Sequence, residues 1–284
     1  MLELRHSLWP LRLAFILSSA DGGFAQVSQT IKIVAVAQSA DFQPGIANPG
    51  SLNSIFVTGL AGEPGIITAT AYPLSNQLNG VSVSIDSYPA PILALALFNG
   101  NQQINVQVPW EDSSPKVVAV TQNGIQAQTS DSAGTPWSVF FSAANGYGVI
   151  QHASDYSLVT PQNPAHPDEY LIAYAQNLGS VTNQPATGAP APFNPLAESV
   201  LGSPVGCDTS VSVRFGPNLD FAASPSYMGL TPGAVGVYQV NFQLPTSMQA
   251  GDSQIALMWY QAGSAFFHCM NNGITSRSVL LPIQ

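Results

Sequence analysis

Residues 103–109 read Gln103-Ile104-Asn105-Val106-Gln107-Val108-Pro109, and residues 239–245 read Gln239-Val240-Asn241-Phe242-Gln243-Leu244-Pro245. Both follow the pattern Gln-apolar-Asn-apolar-Gln-apolar-Pro. A strict period of two is that of a β-strand, so each copy sets three amides on one face and three apolar side chains on the other. Proline closes each copy because it has no N–H for a ladder. A phrase written twice predicts two related β-domains in tandem.

Working outward, the two halves match in order. Leu52 to Leu60 is answered by Tyr170 to Leu178, the loop 61–79 by the Pro/Ala/Gly loop 183–195, and Val81-Ser82-Val83 by Val211-Ser212-Val213. Lys116 to Thr121 is answered by Ile255 to Tyr260, and Ile274 to Ile283 closes the second half. Asn123-Gly124 between two alternating runs predicts a type I′ hairpin. Asn-Gly also occurs at 79, 99, 145 and 272, and turn signals at such short intervals indicate a sandwich or barrel. The expected fold is all-β, two tandem immunoglobulin-like β-sandwich domains. A signal peptide is expected over 1–25, the first sandwich over 26–134 and the second over 135–284, joined near 130–136.

Composition narrows the function. The 284 residues are enough for two ordinary cores. Charged residues are 7% of the chain, against roughly 25% in ordinary soluble domains, and Ser, Thr, Asn and Gln supply the polarity instead. The net charge is −9, and beyond residue 25 the basic residues are Lys32, Lys116, Arg214 and Arg277. That excludes a nucleic-acid partner, which needs clustered Lys and Arg, and an anionic membrane surface. Arg5 and Arg12 with the apolar run 13–17 read as an export signal, cleaved after Ala20 or Ala25; a frayed terminus of a cytosolic chain is the competing reading. The run is too short to span a bilayer, so no membrane insertion is expected after cleavage. In an exported chain Cys207 and Cys269 are expected to form a disulfide, worth roughly 4 kcal/mol on chain-entropy grounds. Two free thiols are the alternative.

Several stretches resemble the Solibacter-type C-terminal domain, an uncharacterised region of exported acidobacterial proteins. They are Asn48-Pro49-Gly50-Ser51-Leu52 with Ile55-Phe56 and Gly59-Leu60, then Gln103 to Pro109, Asn177-Leu178-Gly179, Ala186-Thr187-Gly188-Ala189-Pro190 and Gly236-Val237-Tyr238-Gln239-Val240-Asn241. Each half also resembles an IPT/TIG immunoglobulin-like domain. The resemblance implies export and carries no catalytic residues. The chain departs from that pattern in its expanded stretch 261–273, and in the little that precedes residue 40, from which no large partner domain in cis is expected.

Catalytic signatures are missing from the sequence: it has no Gly-x-Ser-x-Gly elbow, no His-Glu-x-x-His and no Cys-x-x-Cys. His152 with Asp155, and His166 with Asp168, have no triad-specific spacing. The acidic pairs Glu111-Asp112 and Asp168-Glu169 fit no EF-hand. No enzyme, metal or cofactor is expected. The expected role is a non-catalytic adhesive or spacer module, secreted or at the cell surface, with another exported protein or a polysaccharide as partner. The alternative is a carbohydrate-binding protein. Aromatic rings would stack on sugars and amides would bond hydroxyls, with Trp110, Trp137, Tyr147, Trp259 and Tyr260 as candidate ligand-binding residues. A core or inter-domain position for the aromatics, with the amides on a solvated face, is the competing expectation.

Overall fold

The computed structural model describes residues 30–98, 100–130, 139–200, 211–260 and 273–284. The signal segment 1–25, the junction 131–138 with Trp137, both cysteines and the stretch 261–272 lie outside the described residues. Among the described residues every regular element is a β-strand, and all paired strands are antiparallel.

Ten strands build the first half: β1 (Lys32–Gln38), β2 (Leu52–Thr58), β3 (Gly65–Thr68), β4 (Gln77–Leu78), β5 (Val81–Ile85), β6 (Tyr88–Pro89), β7 (Ile92–Phe98), β8 (Asn101–Gln107), β9 (Val117–Gln122) and β10 (Ile125–Ser130). One sheet has the order β1-β2-β8-β7-β3; the other runs β10-β9-β5-β4, with β6 on β5. The β9–β10 hairpin turns at Asn123 (φ +53°) and Gly124 (φ +76°), the two positive φ values a type I′ turn needs.

Ten more build the second half: β11 (Val139–Phe140), β12 (Ile150–His152), β13 (Tyr170–Gln176), β14 (Val211–Phe215), β15 (Phe221–Ala223), β16 (Tyr227–Leu230), β17 (Tyr238–Gln243), β18 (Gly251–Tyr260), β19 (Gly273–Thr275) and β20 (Val279–Ile283). One sheet is β11-β13-β17-β16, with β12 on β13. Its partner is β15-β14-β18-β19, with β20 on β18. The two halves share one wiring: β2–β8–β7 corresponds to β13–β17–β16, and β5–β9 to β14–β18. The chain is two tandem β-sandwiches.

Each sandwich has its own core, set by alternation. β5 buries Val81, Val83 and Ile85 and leaves the two serines partly open. β17 buries Tyr238, Val240 and Phe242. Ile55, Ile104, Val106 and Val120 are central to the first core. Phe215 and Phe242, with ring centroids 5.5 Å apart, anchor the second.

Two features differ from the sequence expectation. The stretch 61–79 contains β3 and β4. The loop 183–195 is not its counterpart. Glu198 pairs with Gly229 of β16 as β3 pairs with β7, so the segment equivalent to β3 begins only after that loop. The loop is therefore an insertion of the second half.

Candidate functional site

Of the candidate aromatics, Trp110 and Tyr147 are held in separate contacts. Trp110 packs against the core of the second sandwich, which places it between the domains. Tyr147 donates its hydroxyl to Asp252 Oδ2 (2.9 Å), and that bond raises its pKa above the ordinary phenol value. Trp259 and Tyr260 are on the same strand as Asp252 but at its far end.

The inserted loop and the first amide ladder build a joint. Gln107 accepts the Gly188 N–H (2.7 Å) and donates to the Gly50 carbonyl (3.1 Å). Leu74 N–H donates to the Gly188 carbonyl (2.7 Å). Thr187 Oγ1 accepts from Trp110 N–H (3.0 Å) and donates to Glu111 Oε2 (2.7 Å). On the other side Gln176 Oε1 accepts the Ala40 N–H (3.0 Å), Asn177 Oδ1 accepts the Asn48 N–H (3.0 Å), and Ser51 Oγ accepts the Asn177 N–H (3.0 Å). Asn177 and Gln176 both donate to Gln38 Oε1. Between these contacts lies a small apolar cluster of Ala40, Leu52, Val139, Phe141 and Val237.

The first ladder is consequently not a solvated face. Gln103, Asn105 and Gln107 are 2%, 2% and 1% exposed. Gln103 Nε2 donates to Asn105 Oδ1 (2.8 Å), and Ser54 Oγ donates to the same oxygen (2.9 Å). Gln103 Oε1 and Asn105 Nδ2 have no partner among the described residues. Strand parity was legible in the sequence, but nothing in a period of two reports that the polar face has protein over it.

The second ladder is open. Gln239 and Asn241 are partly exposed and Gln243 is exposed. Facing the same way from the neighbouring strands are Tyr170, Ile172 and Tyr174 of β13 and Tyr227 of β16, because Tyr170 pairs with Gln243, Ile172 and Tyr227 with Asn241, and Tyr174 with Gln239. Gln151 of β12 pairs with Ile172 and accepts the Tyr174 hydroxyl (2.6 Å). Tyr156 joins this face: its carbonyl accepts from Gln151 Nε2, and burial together with the nearby Tyr156 pushes the Tyr174 phenol up to about 12. Four tyrosines and four amides thus share one side of a sheet. Of these tyrosines the sequence reading singled out none. The signal was available in β13, whose alternate residues 170, 172 and 174 must share a face with their paired amides.

At one end of this face a cleft of about 310 Å3 lies among Asp168, Ala222 to Ser224 and Gln243 to Thr246. Gln243 Nε2 donates into it to Asp168 Oδ1 (2.9 Å) and to the Asp168 carbonyl (3.0 Å).

The other polar groups are tied into the scaffold. His152 is buried, with Nδ1 2.9 Å from Glu169 Oε2 and Nε2 3.3 Å from the Asn163 carbonyl. Both ring nitrogens are thereby engaged, and the partner is Glu169 rather than Asp155, which caps the Ser157 N–H instead. Asp112 is 5% exposed, and its Oδ2 has no hydrogen-bond partner among the described residues. Burial raises its pKa above the usual carboxylate value, and the adjacent Asp86 raises it further. Among the described residues no three His, Cys, Asp or Glu side chains gather as metal ligands, and no helix is long and apolar enough to cross a membrane.

No family model matches the chain, and no curated protein matches it. Among solved structures it is similar to the N-terminal part of the bacterial S-layer protein SbsC, with 10% identity and a TM-score of 0.25. The match covers 90% of this chain and 44% of that one, and a TM-score this low carries no argument about role.

Proposed function

We propose that the chain is a non-catalytic, exported module of the Solibacter-type C-terminal domain kind, acting outside the cell as a stiff two-sandwich spacer. The observation that carries the reading is the joint. Linked domains move relative to each other by default unless their interface is extensive and well packed. Here buried amides on both sides bond across the boundary, and opening it takes those partners from Gln38, Gln107, Gln176 and Asn177. Support for export is the charged and apolar leader of residues 1–25, and the low charge with abundant Ser, Thr, Asn and Gln suits an extracellular surface. The polar candidates for chemistry, His152 and Glu169, are occupied in holding a loop.

Scanning calorimetry of residues 26–284 with solution scattering tests this. One cooperative transition and a scattering curve fitted by a single rigid shape are expected. Two separate transitions with a curve that needs a hinged pair would refute the spacer.

A further inference from the structure

We propose that the open face of the β12–β13–β17–β16 sheet binds an extended neutral polysaccharide. The proposal rests on the extracellular placement given above for where such a polymer is met, and on the face itself for the chemistry.

The two ladders of this chain provide an internal comparison. In the first, the residues paired to the amides on β2 are Leu52, Ser54 and Phe56, and Leu52 belongs to the apolar cluster of the joint. In the second, the residues at the same register are Tyr170, Ile172 and Tyr174. Leu52, which seats a protein surface, is replaced by Tyr170, and Ile172 is sunk to 8% exposure. Tyr174 packs against the apolar cluster of the joint at one end, but the rest of the face lacks the desolvated apolar centre of an ordinary protein interface. It offers rings and amides.

Those rings are held. The Tyr174 hydroxyl is fixed on Gln151, and the Tyr227 hydroxyl donates to the Leu230 carbonyl (2.7 Å). An added Cβ on Gly229 would lie 2.7 Å from that hydroxyl, so the Tyr227 hydroxyl lies close over a glycine. Tyr156 and Tyr170, 63% and 54% exposed, extend the aromatic surface. Rings fixed beforehand lose little entropy on stacking. Tyr170 and Tyr174 are about 13 Å apart along β13, a spacing for successive units of a chain rather than one ring.

The amides supply both halves of a hydroxyl's bonding. Gln239 Nε2 donates to Asn241 Oδ1 (3.2 Å), leaving Gln239 Oε1 and Asn241 Nδ2 with no other partner among the described residues. An acceptor and a donor side by side suit sugar hydroxyls, which do both. The charge balance selects neutrality. No Lys or Arg stands among the paired residues of the face, Asp168 stands at one end, and the whole chain carries −9, so acidic polymers are repelled.

The test is affinity electrophoresis of residues 26–284 through gels holding hydroxyethyl cellulose, xylan, galactomannan or amylose, with alginate as the acidic control. Retardation by at least one neutral polymer and none by alginate is expected. Tyr170→Ala and Asn241→Ala are each expected to weaken it at least tenfold with unchanged melting temperature, while Tyr147→Ala leaves it intact. The proposal is overturned by no retardation in any neutral gel, by equal retardation in alginate, or by retardation that survives the Tyr170→Ala/Asn241→Ala double variant. Self-association that disappears in Tyr170→Ala would assign the face to a second copy and overturn it as well. None of these readouts depends on the cooperativity of the joint, so the spacer reading stands or falls separately.

Discussion

Gly50 has φ +82°, and an added Cβ there would fall within the Trp110 ring. Both the backbone conformation and the space demand glycine. Gly50→Ala must push Trp110 out of the second sandwich's core, and a destabilisation of about 3 kcal/mol or more is expected. The check is chemical denaturation, with Gly80→Ala, which is at φ +74° with nothing within 4 Å of its Cβ, as the control for backbone strain alone. Asp112 argues at the same scale. Its folded pKa lies above the ordinary 3.8 because burial and Asp86 disfavour the charged form. A raised carboxylate holds its proton more tightly folded than unfolded, so its contribution is full below about pH 3.8 and fades as pH climbs through the folded value. Asp112→Asn keeps an acceptor for the Ser114 N–H and removes the charge. The variant is expected to melt about 1–3 degrees higher at pH 7 and to lose less stability between pH 4 and 7. An unchanged pH slope would show that Asp112 is ionised at no cost.

At the scale of elements, the inserted loop 183–195 is the part that the second half adds in order to reach the first. Replacing residues 185–190 with a short Gly-Ser turn removes the Thr187 and Gly188 contacts to Trp110, Glu111, Gln107 and Leu74. The second sandwich, whose core takes Ala191 of the loop but none of residues 185–190, is expected to stay folded while the joint loosens, read as faster amide exchange at Gln107 and Trp110 with protection at Val240 and Ile255 unchanged. Loss of protection at Val240 as well would make the loop part of the second fold. The strands of the first half were legible in the sequence because Gln103 to Pro109, Val81 to Ile85 and the Asn123-Gly124 hairpin state their period and their turn locally. The face that each strand turns to water was not legible. Gln107 and Gln243 occupy the same place in the same phrase, yet one is buried and the other exposed, because Gln107 is held by Gly50 and Gly188, which come from distant parts of the chain. The tyrosine-bearing face was missed for a related reason: Tyr170 and Tyr227 are far apart in sequence and become neighbours only through β17.

Taken as a whole molecule, the stretches that resemble the Solibacter-type domain converge on one place. Asn48 donates to Asn177, Gly50 lies under Trp110, Ser51 accepts from Asn177, and Leu52 fills the apolar cluster. Gln107 is bound to Gly188, Thr187 to Trp110, and Gly236 closes on Leu52 and the Gly50 carbonyl. Besides core residues such as Ile104, Val106, Tyr238 and Val240, those stretches carry the contact between sandwiches, which implies that the unit of folding is the pair. Because the buried amides of the joint bond across it, losing a partner leaves groups that cost about 1–3 kcal/mol each to bury unpaired. Asn177→Ala with Gln107→Ala removes side chains from both rims of the joint while touching neither core. The single calorimetric transition expected of the parent should split into two in this double variant, with a larger radius of gyration by scattering and the same strand content by circular dichroism. If the double variant still melts as one unit with unchanged dimensions, the apolar cluster around Leu52 and Phe141 holds the sandwiches together without the amides, and the buried polar network serves register instead of strength.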